Sequence, residues 1–139
     1  MTPPTFLASS LYVAAGGAAG SWLRYLTGRL WLQAIGPVAA SAFPWATLTV
    51  NVAGSLAMGL LAGWLARHGS PQGASGESWR LLLGVGLLGG FTTFSSFSLE
   101  FALLVERGTI GLAVAYAAVS LAAGFAGLFA GLWMMRVLA

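Results

Sequence analysis

The sequence predicts an all-α membrane protein of four transmembrane helices, a single unit over residues 1–139. Three observations carry that class. Of the 139 residues 58% are hydrophobic and 6% charged, whereas soluble domains hold about a quarter charged residues. Four charge-poor stretches stand along the chain, each near the ~20 residues a helix needs to cross hydrocarbon. The joints between them are short and marked by glycine and proline.

The first span is read over Phe6 to Leu23. No positive charge precedes it, so it is expected to be a retained helix and not a cleaved leader. Gly36-Pro37 and Phe43-Pro44-Trp45 separate it from the second span, Trp45 to Ala66, and His68 to Glu77 is the stretch that reads as a true loop. The third span is read over Leu81 to Leu99 and the fourth over Thr109 to Met135, with Gly108 between them as a helix stop. Small residues recur at four-residue spacing in every span: Gly16 and Gly20; Ser55, Gly59 and Gly63; Gly86 and Gly90; Ala123, Gly127 and Gly131. That spacing stacks them on one helix face, where backbones can approach closely.

With no cysteine, disulfides and thiolate metal sites are excluded. Six arginines face three glutamates, but they stand singly or in pairs at span ends, where they reach lipid headgroups; nucleic acid is not an expected partner. Four spans place Arg67, Arg80 and Arg136 on one side and Arg24, Arg29 and Arg107 on the other. An even tally gives no orienting excess, so the chain can insert both ways and pair as an antiparallel homodimer about an axis in the membrane plane. If Arg24 instead lies inside the first span, a modest bias remains; both readings stay open. The lone His68 has no nucleophile or metal ligand near it in sequence, so an enzyme is not expected.

Gly89-Gly90-Phe91-Thr92-Thr93-Phe94-Ser95-Ser96-Phe97-Ser98 sets two glycines and five hydroxyls inside an apolar span. Lipid-facing backbone there would have no water partner. One reading breaks the helix at the glycines, leaving carbonyls that attract a cation and amides that favour an anion. The other is a glycine-rich kink whose threonines bond neighbouring helices. Phe94 and Phe97 share a helix face; they are either packing or a pair of electropositive ring edges for an anion. Asn51 offers an amide to the pore or to a neighbouring helix. Tyr116 and Ser120 lie i, i+4, and Thr47 and Ser98 could extend their line of donors. No lysine occurs, and no arginine is expected near the middle of a span; donors without a fixed cation can pass a small anion without trapping it.

Three stretches, Gly16 to Tyr25, Pro44 to Asn51 and Gly89 to Glu100, resemble the signature segments of the Fluc (CrcB) fluoride channels, in family order and over nearly the whole chain. The resemblance implies an antiparallel dual-topology homodimer in the bacterial inner membrane, with two pores exporting cytoplasmic fluoride passively. It implies Phe94 and Phe97 as the ring pair flanking fluoride and Asn51 as the pore amide. Thr47, Glu100, Tyr116 and Ser120 would form the polar track, Ser95 a further donor, and Arg24 the motif arginine. The carbonyls of Gly89 and Thr92 would hold a structural sodium ion on the dimer axis. Position 124 departs from relatives that carry a hydroxyl one turn beyond Ser120; here it is Gly124. A four-helix proton-coupled multidrug exporter is the competing class, but it needs an embedded carboxylate that is absent from the first span. A noncatalytic assembly subunit would leave the third-span motif without a purpose.

Overall fold

In a computed structural model, residues 4–68 and 74–137 are described, and among them every regular element is helical. Four helical spans are long and apolar enough to cross a membrane: Phe6–Ala42, Trp45–His68, Gly76–Glu106 and Ile110–Val137. Helix α1 is Phe6–Ala42 and α2 is Trp45–His68. Helix α3 joins Ala74–Trp79, a π-helical stretch Arg80–Leu88 and a last turn Gly89–Phe91. Helix α4 is Phe94–Glu106 and α5 is Ile110–Val137.

Several boundaries differ from the sequence reading. The first helix does not stop near Leu23 but runs to Ala42, interrupted at Gly36, whose φ of 76° only glycine adopts without strain. Pro37 restarts the helix, since its fixed φ suits a first turn and its missing N–H would be unpaired there in any case. His68 is the last residue of α2, and Ala74 to Glu77 already belong to α3; Gly69 to Gly73 of the expected loop lie outside the described residues. Gly108 has φ 76°, and the Gly108 and Thr109 amides return to Val105 and Leu104 in a Schellman cap that ends α4.

The glycine spacing becomes two tight helix pairs. Along α1 and α3, a Cβ on Gly20 would strike the Leu87 carbonyl, and one on Gly90 would lie 2.6 Å from the Gly17 oxygen. Along α2 and α5, a Cβ on Gly59 would strike the Leu128 carbonyl and one on Gly131 the Leu56 carbonyl. Backbones therefore meet where a methyl would not fit, which is how helices gain dispersion contact in lipid without a hydrophobic driving force. Helix α4 leaves α1 and leans on α5, where Leu104, Ala113 and Tyr116 form a buried cluster with Phe43, Leu48, Phe97 and Phe101 around it. Large apolar side chains such as Phe6, Phe125, Phe129 and Trp133 are exposed, as expected where the solvent is lipid.

At the two ends of the bundle the arginines separate as the span count requires. Arg67 donates to the Arg136 carbonyl at 2.9 Å, and Arg107 to the Ser41 carbonyl at 3.0 Å. Arg24 belongs to neither group. It stands midway along α1 and reaches into the bundle toward the Thr92 carbonyl, which favours the reading that sets it within the first span.

Candidate functional site

The third span is broken, but one turn later than the glycines. Gly89 is helical (φ −63°, ψ −37°), and the chain is extended at Thr92 (φ −82°, ψ 160°) and Thr93 (φ −154°, ψ 125°). Gly90 serves close approach to α1, and the β-branched threonines take the extended backbone that suits them. Thr93 then caps α4: its Oγ1 accepts from the Ser96 amide at 3.2 Å.

Breaking a buried helix strands backbone groups, and Asn51 on α2 meets both of those on Thr93. Its Oδ1 accepts the Thr93 N–H at 2.8 Å and its Nδ2 donates to the Thr93 carbonyl at 3.1 Å. The amide orientation is forced, because the Thr93 N–H must face an oxygen. In an unbroken helix that N–H would have closed on the Gly89 carbonyl, which thereby loses its helical donor. One residue earlier, Arg24 Nη1 lies 3.5 Å from the Thr92 carbonyl, at the limit of hydrogen bonding.

Of the grooves beside the break, two gather most of the candidate side chains. The first, about 220 Å³, is lined by Asn51, Ser55, Phe94, Phe97, Ser120 and Gly124, with Leu121, Phe125 and Leu128 closing its apolar side. Phe94 and Phe97 lie side by side with centroids 5.7 Å apart; Phe94 is 77% exposed on the single chain. Ser120 Oγ is buried and has no hydrogen-bond partner. A buried hydroxyl without a partner costs on the order of 1–3 kcal/mol, so it marks a place prepared for something polar.

The second groove, about 440 Å³, is the more polar of the two and lies along an adjacent face of α4, lined by Arg24, Thr47, Thr93, Ser96 and Glu100 among others. Glu100 accepts from Thr47 Oγ1 at 2.7 Å and from the Tyr116 hydroxyl at 2.8 Å, one donor on each carboxylate oxygen. Tyr116 is fully buried and its ring contacts Phe97 (5.1 Å) and Phe43 (5.4 Å). It therefore links the second groove to the ring pair of the first, and its proton is directed to Glu100 and away from the Asn51 groove.

The sequence candidates thus divide. Asn51, Phe94, Phe97 and Ser120 come together; Thr47, Glu100 and Arg24 come together in the second groove, joined to the first group through Tyr116. Ser95 joins neither lining: it is exposed and its Oγ contacts Thr93 Oγ1 at 3.3 Å. Ser98 donates to the Phe94 carbonyl of its own helix. Sequence reasoning missed Ser55, Thr93 as latch partner and Ser96; the last two sit inside the motif, where only the position of the break distinguishes them from their neighbours.

A family model described as CrcB-like protein, Camphor Resistance (CrcB), matches residues 11–132. A protein of Novosphingobium aromaticivorans named fluoride-specific ion channel FluC is 59% identical over 130 residues, covering 94% of this chain and 98% of its own. One of the same name from Rhodospirillum centenum is 55% identical over 91% of this chain and 94% of its own. Another, from Erythrobacter litoralis, is 47% identical over 99% and 97%.

Proposed function

The chain belongs to the CrcB-like family, and from that premise we propose that it is a multi-pass membrane channel that lets fluoride flow passively out of the cytoplasm. It is not an enzyme. The observation that carries the mechanism is the first groove: at a break in a spanning helix, Asn51 and an unpartnered Ser120 hydroxyl share a groove with two phenylalanines and no formal cation.

Fluoride leaving water must regain hydrogen-bond donors at every step, yet must not be held too tightly to depart. Ring edges offer weak positive potential at low desolvation cost, and hydroxyl and amide donors supply directed bonds. Phe94 and Phe97 flank the ion, and Ser120 donates to it. Asn51 holds the break open through Thr93 and presents its amide edge to the same groove. Arg24, Thr47 and Glu100 form a polar mouth in the neighbouring groove. Ser95 is the weakest of the pore assignments, because it lies outside both grooves.

The working unit is an antiparallel homodimer. A ring 77% exposed on the single chain would face acyl tails unless a second copy covered it, and two copies make two equivalent pores. The Gly89 and Thr92 carbonyls fit a sodium ion in kind, being hard oxygen donors at the end of a half-helix. Two oxygens are few for one ion, so a two-fold related pair completes the set. Such an ion would neutralise carbonyl charge and fasten the copies together.

A proton-coupled exporter requires a carboxylate free to exchange protons for cargo. Glu100 is the embedded carboxylate, and both its oxygens already hold hydroxyl donors. Fluoride efflux from liposomes carrying the purified protein, followed with an ion-selective electrode, tests the reading. Fluoride flux with chloride flux at least a hundredfold slower is expected. Equal chloride flux, or proton-coupled cation uptake, would overturn it.

A further inference from the structure

The hydroxyl line on α5 stops early in this chain. Ser120 and Gly124 are one turn apart on the same face, so position 124 would hold the next donor, but glycine has none. Asn51 and Ser55 make a parallel i, i+4 row on α2, and all four residues line the first groove. The seam between α2 and α5 is held close by Gly59, Gly127 and Gly131, so the two rows face each other with little freedom to slide.

Within that seam, a Cβ built on Gly124 would lie 3.6 Å from Ser55 Oγ. The Ser55 hydroxyl thus occupies the neighbourhood a side chain at 124 would share. Its bonding is also unusual. Ser10, Thr27, Thr49 and Ser98 each donate to the carbonyl of the preceding turn, which is the common fate of a helical hydroxyl in lipid. Ser55 makes no such bond among the described residues, and it shares the groove with the buried, unpartnered Ser120. Two hydroxyls from different helices therefore stand available along one passage.

We propose that Ser55 is a fluoride-coordinating residue of the pore, supplying from α2 the donor that Gly124 does not supply from α5. This inference rests on the channel reading above. With Ser55 in place, the ion passing Ser120 meets another O–H about one helical turn on, so it is not stripped of donors over two turns.

The test uses the full-length protein in liposomes. Ser55→Ala should slow fluoride efflux about fivefold, the scale of one lost hydrogen bond. Adding Gly124→Ser to Ser55→Ala should return the flux to within about twofold of wild type, because the hydroxyl is restored from the facing helix. The added Cβ meets only an ordinary contact at 3.6 Å, so the rescue is sterically open. Unchanged flux in Ser55→Ala overturns the proposal. So does a loss that Gly124→Ser leaves unrepaired, whatever its origin, since a packing or folding role would not be rescued by a hydroxyl on another helix. A wild-type protein that passes no fluoride would instead sink the channel reading itself.

Discussion

Replacing Asn51 with aspartate isolates the latch across the helix break. The two side chains have nearly the same shape, so packing is preserved and one donor is removed. The ionised carboxylate can still accept the Thr93 N–H, as Oδ1 does at 2.8 Å, but it cannot donate to the Thr93 carbonyl, which Nδ2 meets at 3.1 Å. Thr93 is only 7% exposed, so that carbonyl loses its donor inside the protein. An unsatisfied buried acceptor costs about 1–3 kcal/mol, and an anionic oxygen set against it adds to the penalty. Taking ~2 kcal/mol as the sum of least effects, the equilibrium constant for the latched state falls about 30-fold. If conduction needs the latch, fluoride efflux from liposomes at neutral pH falls, by up to that factor where the latched state is only marginally favoured, while the protein still elutes as the wild-type assembly. Negative charge in the groove pushes the same way, since it repels the permeating anion. Efflux within twofold of wild type would refute the reasoning, because it would mean that the break holds without its carbonyl clasp.

Phe94→Ile keeps bulk and removes the electropositive ring edge; flux should drop at least about tenfold, equivalent to ~1.4 kcal/mol, and a flux assay in liposomes reads it directly. Tyr116→Phe leaves the ring on Phe97 but strips one donor from Glu100, so thermal unfolding should come at lower temperature by an amount matching about 1–3 kcal/mol, with flux reduced several-fold. Gly20→Ala forces a methyl into the Leu87 carbonyl and should destabilise by ~3 kcal/mol or more, seen as lost monodisperse protein on size exclusion. Gly111→Ala, which meets nothing within 4 Å, should be silent in the same measurement.

The spans were legible because the bilayer imposes a length and forbids exposed charge, a constraint strong enough to survive without any knowledge of packing. Their ends were less so. Nothing in Arg24 or Tyr25 halts a helix, and reading the first span as finished near Leu23 mistook a charge for a boundary, when that guanidinium is drawn inward to the Thr92 carbonyl. The break was legible in composition but not in position. Gly89 and Gly90 weaken a helix in isolation, yet both stay helical here, Gly90 uses its missing side chain for contact with α1, and the extended residues are the two threonines. Asn51 could be singled out as an amide in an apolar span, but its partner 42 residues away could not. Ser55 read only as a small packing residue, because a lone helical hydroxyl ordinarily bonds its own turn; its place in the first groove beside Gly124 is visible in the structure alone.

The span that reads as one segment in the sequence is divided in its allegiance. Its first half, α3, is fused to α1 through backbone contact, whereas its second half, α4, rests on α5 through aromatic rings. The polypeptide at Thr92 and Thr93 is consequently a hinge pin between two nearly rigid blocks. The ring edges ride on the α5 block and the Gly89 carbonyl on the α1 block, so the spacing between rings and carbonyl is set by a single joint.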